Sequence, residues 1–367
     1  MSVQDGHAGV PTAGFPADEL DYALPESLIA QRPPARREDA RMLGVDRQRG
    51  QLRDGYIVEL PGALRAGDLL VLNDTRVLPA KFNARRATGG VVPGLFTEEE
   101  QPGSWRVMLQ GTKRLRPGES LAVRADGGQP ITLELEEYYG EGQWRVRVEA
   151  SGTVEEILHR IGRTPLPPYI HRTAEASVDE AEDCSRYQTV YARVPGAIAA
   201  PTAGLHLTES LLGELHRTGV ATTAVTLHVG VGTFKPIAVD CLSQHVMHVE
   251  RFELPPAAAE AVRTCRERGG RVVAVGTTSV RVLESAADGS ADARLVQPHC
   301  GATNLFIYPP YTFRVVDALL TNFHLPRSTL LALVMSFAGI ALTRRAYEHA
   351  IAKRYRFYSY GDAMLIE

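Results

Sequence analysis

The 367-residue chain is poor in cysteine, in tryptophan and in long apolar runs, and it carries almost no excess charge. Its four cysteines, Cys184, Cys241, Cys265 and Cys300, lie far apart, which excludes a C-x-x-C redox pair or a cysteine zinc motif. The longest apolar stretch, Leu330–Leu342, spans 13 residues and contains Ser336 and Gly339. A bilayer span needs about 20 apolar residues, so this stretch is expected to be a buried helix. The first 20 residues contain no apolar h-region, so no secretory signal is visible and the cytoplasm is the expected compartment. No G-x-G-x-x-G is present, which disfavours a nicotinamide or flavin Rossmann site, and no H-E-x-x-H is present either.

A net charge of -3 excludes a uniformly basic nucleic-acid coat. RNA contact would need a local patch. Candidates are Arg32, Arg36, Arg37, Arg41, Arg47, Arg49 and Arg53 near the start, and Arg344, Arg345, Lys353, Arg354 and Arg356 near the end. A solvated charged face is the plainer explanation for either group alone.

At roughly 100–200 residues per domain, the length predicts two domains. Residues 1–17 read as a disordered leader. Asp18–Gln31 reads as a capped helix interrupted at Pro25. "RMLGVDR" and "GQLRDGYIVEL" suggest a hairpin, and Leu69–Leu72 a buried strand ending at Asn73-Asp74-Thr75. From Lys81 to Ala150, short alternating runs such as "WRVMLQG" and "QWRVRVEA" lie between glycine turns, the pattern of a small β-barrel or sandwich. From Thr153 onward, helices alternate with apolar strands. The predicted fold is α/β: a layered α/β/α sandwich over 18–80 and 153–367, with a small β-barrel inserted at 81–152.

In open α/β sheets, ligands bind beyond the carboxyl ends of strands. Polar clusters fall at such ends: Asn73–Arg76, Leu227–Phe234, Gly276–Ser279 and Thr321–Pro326, together with the loop Ala200–His206. The small hydroxyl residues Thr277, Thr278 and Ser279 open a helix whose free amides could hold a phosphate or a carboxylate, or could simply be capped. His206, His228, His245, His248 and His324 all fall in this half, near Glu250. Without the spacing of a zinc set, they suit hydrogen bonding or acid–base work better than metal ligation, and no metal site is expected. Tyr187, Gln188 and Tyr191 offer planar groups for stacking on a base, or for packing on the sheet.

Seven long blocks go further. They are "GDLLVLNDTRVLPA" (Gly67–Ala80), "RYQTVYARVPGAIAAPTAGLHLT" (Arg186–Thr208), "VTLHVGVGTFKPI" (Val225–Ile237), "HVMHVERFELP" (His245–Pro255), "VVAVGTTSVRVLES" (Val272–Ser285), "VVDALLTNFHLPRSTLLALV" (Val315–Val334) and "YRFYSYGDAMLIE" (Tyr355–Glu367). In this order they resemble the S-adenosylmethionine:tRNA ribosyltransferase-isomerases of queuosine biosynthesis, from about Leu20 to the last residue.

The resemblance implies a larger α/β/α domain with an inserted β-barrel. It implies transfer and isomerisation of the ribosyl moiety of S-adenosylmethionine onto 7-aminomethyl-7-deazaguanine at the tRNA wobble position. Epoxyqueuosine forms, and adenine and methionine leave. No cofactor beyond the co-substrate S-adenosylmethionine is implied. The expected RNA is a tRNA with a GUN-type anticodon, acted on by a monomer without membrane contact. Within the matched blocks, acid–base work is expected of His206, His228 and His324, with Asp74 and Glu284 as carboxylate candidates. Substrate contacts are expected of Arg76, Tyr187, Tyr191, Thr202, Thr233, Thr277, Thr278, Ser279, Arg281 and Asn322. Another S-adenosylmethionine-dependent transferase acting on a different RNA or deazapurine, or a non-catalytic RNA-binding homologue, are the alternatives.

Two segments depart from the family pattern. A Gly-Gly-x-x-Glu-type segment is replaced by "TGGVVPGLFTEEEQPG" with Pro93 and Gly94, and "T-D-L-F-I-x-P-G" by "TNLFIYPPY" with Asn304 and Pro310.

Overall fold

The computed structural model describes residues 14–125, 128–172, 177–230, 232, 236–287 and 295–367. The chain opens with the hairpin β1 (Arg41–Asp46) and β2 (Gln51–Tyr56), the short helix α1 (Leu60–Ala63), then β3 (Leu69–Asn73) and β4 (Thr75–Val77). Six strands follow: β5 (Lys81–Arg86), β6 (Val91–Gln101), β7 (Ser104–Leu109), β8 (Ser120–Val123), β9 (Ile131–Gly140) and β10 (Gln143–Glu149). After α2 (Val154–Ile161) and α3 (Ser177–Arg186) come β11 (Val194–Ala197), α4 (Glu209–Arg217), β12 (Ala221–Leu227), β13 (Glu250–Leu254) and α5 (Pro256–Glu267). The remainder is β14 (Val272–Val275), α6 (Thr277–Ser285), β15 (His299–Thr303), β16 (Ala318–Asn322), α7 (Thr329–Ala338), α8 (Ile340–Ala352) and β17 (Ala363–Ile366).

A nine-stranded sheet runs β15-β13-β12-β3-β14-β16-β17-β1-β2, with β12, β3, β14 and β16 mutually parallel. Alternate side chains of a strand point to opposite faces. Leu69, Val71, Val272, Ala274 and Leu319 pack on one side with α5, α6, α7 and α8. Leu70, Leu72, Val273, Val275 and Leu320 pack on the other with α1 and α4. Both faces are covered, which explains why these strands read as unbroken apolar runs. The result is the layered α/β/α arrangement.

β10-β7-β6-β5-β8-β9 close into a barrel. Its interior is filled by residues such as Phe82, Trp105, Val107, Leu133, Trp144 and Val146, and Ile157, Leu158 and Ile161 of α2 join that core. Gly94 has a packing reason: a Cβ there would lie 2.3 Å from the Phe82 ring. The barrel is tied to the sheet domain where Lys81 and Arg163 exchange backbone hydrogen bonds of 3.1 and 2.7 Å. At the end of α2, a Cβ on Gly162 would meet the Pro79 carbonyl oxygen at 1.7 Å, so only glycine allows this approach.

Two local expectations change. Asp18–Gln31 is not a helix; it forms short 3-10 turns at Ala17–Leu20 and Glu26–Leu28, each entered from an extended proline, Pro16 and Pro25. Phe15 and Ala17, within the segment expected as a leader, make ordered contacts. The Ala17 amide donates to Asp240 O at 2.8 Å, the Leu242 amide donates to Phe15 O at 2.9 Å, and Ala17 is buried.

Candidate functional site

The carboxyl ends of β3, β12, β14 and β16 lie along one edge of the sheet, because these strands run in parallel. They carry Asn73, Leu227, Gly276 and Asn322 into a single region. An open cleft of about 680 Å³ lies there, walled by Ala199–Ala203, Gly276–Thr278, Thr321–Leu325 and the turn at Tyr358-Ser359. A second cleft of about 560 Å³ adjoins it, lined by His245, Met247, His248, Glu250, Arg281, Phe306 and neighbours. Thr277, Thr278 and Leu330 line both.

The junction is the start of α6. Of the two readings open for this turn, anion-binding amides or hydroxyl capping, capping is not seen: Gly276 takes the N-cap position with no side-chain cap, at φ 84° and ψ 154°. That backbone region is essentially reserved for glycine. The first amides of the helix therefore lack an intrahelical or side-chain acceptor and face the clefts with the positive end of the helix dipole. Asn73 sets the position of the threonine beside them. Its amide nitrogen donates to Thr278 Oγ1 at 3.1 Å and to Leu227 O at 3.0 Å, while its oxygen accepts from the amides of Thr75 and Leu227.

On the opposite wall, Asn322 is fixed in the same way. Its nitrogen donates to Tyr358 O at 3.0 Å and to His206 Nε2 at 3.3 Å, and its oxygen accepts from Thr202 Oγ1 at 3.1 Å. His206 is buried, and its pKa is pushed down to about 3 by burial and then by Arg356 and Arg37. His324 lines the cleft with Nε2 2.9 Å from Thr321 Oγ1, and burial pushes it down to about 3 as well. Both imidazoles are neutral at physiological pH and serve as hydrogen-bond partners. Tyr358 holds φ at 72°, an uncommon left-handed conformation for a bulky residue, in the wall of this same cleft.

Other expected residues lie elsewhere. Asp74 is buried and saturated: it accepts from Thr226 Oγ1 at 2.6 Å and from Arg193 at 2.7 and 3.1 Å. Glu284 accepts from the amides of Arg314, Val315 and Val316 at 2.9–3.1 Å and so clamps a loop. Ser279 turns inward and donates to Val275 O at 2.8 Å. Arg76 pairs with Glu155 of α2. Arg281 lines the second cleft but is already paired with buried Glu250 and donates to Leu305 O at 3.1 Å. Tyr187 is fully buried and meets Tyr360 edge-on, so it is a core residue and not a stacking platform. Tyr191 packs with the α4 side of the sheet. His228 sits with Nδ1 2.8 Å from Thr75 Oγ1, its ring against Gly196, outside both clefts. Burial lowers its pKa, Arg251 adds to this, and Asp74 opposes it. Thr233 lies outside the described residues.

Tyr169, Tyr358, Ser359 and Phe306 line the clefts and were not anticipated. Tyr169 OH and Ser359 Oγ lie 2.6 Å apart although 190 residues separate them. No local signal announces such a pair, although the matched block Tyr355–Glu367 contains two of these residues. Among the described residues, no three His, Cys, Asp or Glu side chains converge as a metal set.

The family model described as "Queuosine biosynthesis protein" matches residues 17–366. The chain belongs to this family. Relatives named S-adenosylmethionine:tRNA ribosyltransferase-isomerase include one from Acidithiobacillus ferrooxidans, 49% identical over 95% of this chain and 97% of its own. One from Anaeromyxobacter dehalogenans is 50% identical, with 95% and 98% covered. Among solved structures, the S-adenosylmethionine tRNA ribosyltransferase of Thermotoga maritima is similar at a TM-score of 0.53 and 32% identity, covering 95% of this chain and 100% of that one. The blocks that built the family resemblance supply most of the walls of both clefts, while Tyr169 and Leu305–Ile307 come from outside them.

Proposed function

We propose that this chain transfers the ribosyl moiety of S-adenosylmethionine to 7-aminomethyl-7-deazaguanine at the wobble position of tRNA and isomerises it, giving epoxyqueuosine and releasing adenine and methionine. The observation that carries this reading is the pair of clefts meeting at the open amino terminus of α6, in a member of this family. S-Adenosylmethionine is a two-ended molecule with an adenosine and a zwitterionic methionine joined at a sulfonium. Two adjoining clefts with uncapped amides between them suit such a shape, with Thr277 and Thr278 as hydrogen-bonding contacts.

The sulfonium acidifies the neighbouring 5′-carbon, so a base can remove a proton there. The departing adenine takes a proton, and the attacking aminomethyl group must be neutral. His206 and His324, held neutral by burial, orient Asn322 and Thr321 rather than store protons. His228 lies outside both clefts but next to Val229, which lines the main one, and is partly exposed, so proton handling is assigned to it across that cleft's edge. Asp74 and Glu284 are structural in this scheme because every strong acceptor they offer is used within the fold. The RNA is a tRNA with a GUN-type anticodon, and the working unit is a cytoplasmic monomer.

Incubation with S-adenosylmethionine and tRNA bearing the deazaguanine precursor tests the reading. Mass spectrometry should show the epoxycyclopentanediol adduct together with free adenine. S-Adenosylhomocysteine in place of adenine would instead identify a methyl transfer, and tRNA binding without any product a non-catalytic homologue.

A further inference from the structure

A third, smaller cavity of about 270 Å³ adjoins the main cleft. Ser359 lines both, and His206, which reaches Asn322 in the main wall, lines the small cavity from behind. Two arginines border it, Arg37 and Arg186. Arg37 donates to Leu205 O at 3.0 Å and to Ser185 O at 3.1 Å, and Arg186 donates to Pro34 O. The Arg186 Nε is buried and has no partner.

Among the described residues neither guanidinium has a carboxylate partner, whereas several partly buried arginines elsewhere are paired with acids and Arg47 is held by the carbonyls of Phe337 and Asp317. Arg172 is held by Asp183 at 2.7 and 2.8 Å, Arg271 by Asp68, and Arg281 by Glu250. Asp183 on α3 is therefore already committed. Burial, reinforced by the Arg186 charge, lowers the Arg37 pKa. Two close cations satisfied only by neutral carbonyls carry an uncompensated desolvation cost, which an anion placed between them would offset.

We infer that this cavity binds a backbone phosphodiester of the tRNA anticodon loop, beside the nucleotide that enters the main cleft; this rests on the function proposed above. A nucleoside would not fit the cavity, and a phosphate would sit at its open mouth, between the two guanidiniums. Planar guanidiniums match phosphate oxygens in pairs. The methionine carboxylate has its own donors at the α6 amides, at the junction of the two clefts. Arg32 and Arg36, whose side chains are 60% and 68% exposed, lie on the same segment and are paired with Glu182 and Glu38.

The test is binding of tRNA bearing the deazaguanine precursor, measured by fluorescence anisotropy over about 50–200 mM salt, for the full chain and for Arg37→Gln, Arg186→Gln and the matching lysine variants. Calorimetry with S-adenosylmethionine accompanies it. Each glutamine variant is expected to flatten the slope of log affinity against log salt by about 0.7, the single-strand value for one phosphate contact. Affinity for S-adenosylmethionine should stay unchanged, and the lysine variants should keep the slope. Because Arg37 also ties down the end of α3, Arg186→Gln against Arg186→Lys decides the matter if Arg37→Gln lowers the melting temperature. Unchanged slopes in the glutamine variants would overturn the phosphate site. So would weakened S-adenosylmethionine binding with an unchanged slope, which would put a carboxylate there. A wild-type chain that binds no tRNA would overturn the function itself, a result distinguishable from the first two.

Discussion

His206 Nε2 accepts a 3.3 Å hydrogen bond from the Asn322 amide, whose other proton goes to Tyr358 O at 3.0 Å. Asn322 thereby joins the end of β16, the loop before α4 and the strained turn at Tyr358. Asn322→Ala would strand a buried histidine, a buried carbonyl and Thr202 at once. Each buried partner left unpaired costs about 1–3 kcal/mol. The expected outcome is a urea midpoint lowered by roughly 2 kcal/mol or more in stability, with a fall in turnover of the folded fraction. A variant with wild-type stability and rate would remove Asn322 from the site.

The buried histidines make an acid prediction. In the folded chain His206 and His324 titrate at about 3, against an ordinary 6.5. The unfolded chain therefore binds protons first as pH falls. Stability is full above about pH 6.5 and is lost progressively toward pH 3. Melting temperatures should decline from pH 7 to pH 5 in the wild type and decline less steeply in His324→Gln. A parallel decline in both would show that His324 is not buried neutral.

The pH profile of turnover should come from a different histidine. His206 and His324 contribute no inflection between pH 5 and 8, because both stay neutral there. Burial lowers the His228 pKa from 6.5, and the residue keeps partial exposure. Under the proposed role, kcat/KM should fall as pH drops below its ordinary value, when His228 gains a proton. His228→Gln should lower the rate and abolish that acid limb. An acid limb retained in His228→Gln would pass proton handling to another group.

Gly276 offers the sharpest backbone test. A methyl there meets nothing nearer than 3.6 Å, so space is available, and only the dihedral angles object. Gly276→Ala should cost about 1–3 kcal/mol and tilt the first turn of α6. S-Adenosylmethionine affinity, read by calorimetry, should fall with it, whereas Gly339→Ala, at the far end of α7, should lower stability alone. Equal ligand affinity in both variants would separate α6 from binding.

The layered fold was legible because β3, β14 and β16 are covered on both faces, and the barrel because Trp105, Val107 and Leu109 alternate inward. The strand-end clusters were legible as places: Asn73, Gly276, Thr321 and Asn322 all reach one edge. Their individual roles were not. A carboxylate looks the same in sequence whether it awaits a substrate or is already held, as Asp74 is by Arg193 and Thr226. Nor does a hydroxyl at a helix start reveal that Ser279 turns back on Val275 O while Thr278 faces the clefts. The Tyr169–Ser359 contact depends on the whole topology, since 190 residues lie between them.

Glu284 separates structure from catalysis most directly. Its carboxylate accepts three successive backbone amides, Arg314 to Val316, at the loop that leads into β16. Charge-assisted hydrogen bonds of this kind are worth about 1.5–3 kcal/mol each, and their loss is only partly relieved by water reaching the loop. Glu284→Ala should therefore lower stability by roughly 3 kcal/mol, seen as a reduced urea midpoint. Glu284→Gln, which keeps one carbonyl oxygen, should lose about half of that. For molecules that remain folded, kcat should stay near the wild-type value in the glutamine variant. If Glu284→Gln instead kept full stability and abolished turnover, the carboxylate would belong to the reaction after all, and the loop clamp would be incidental to it.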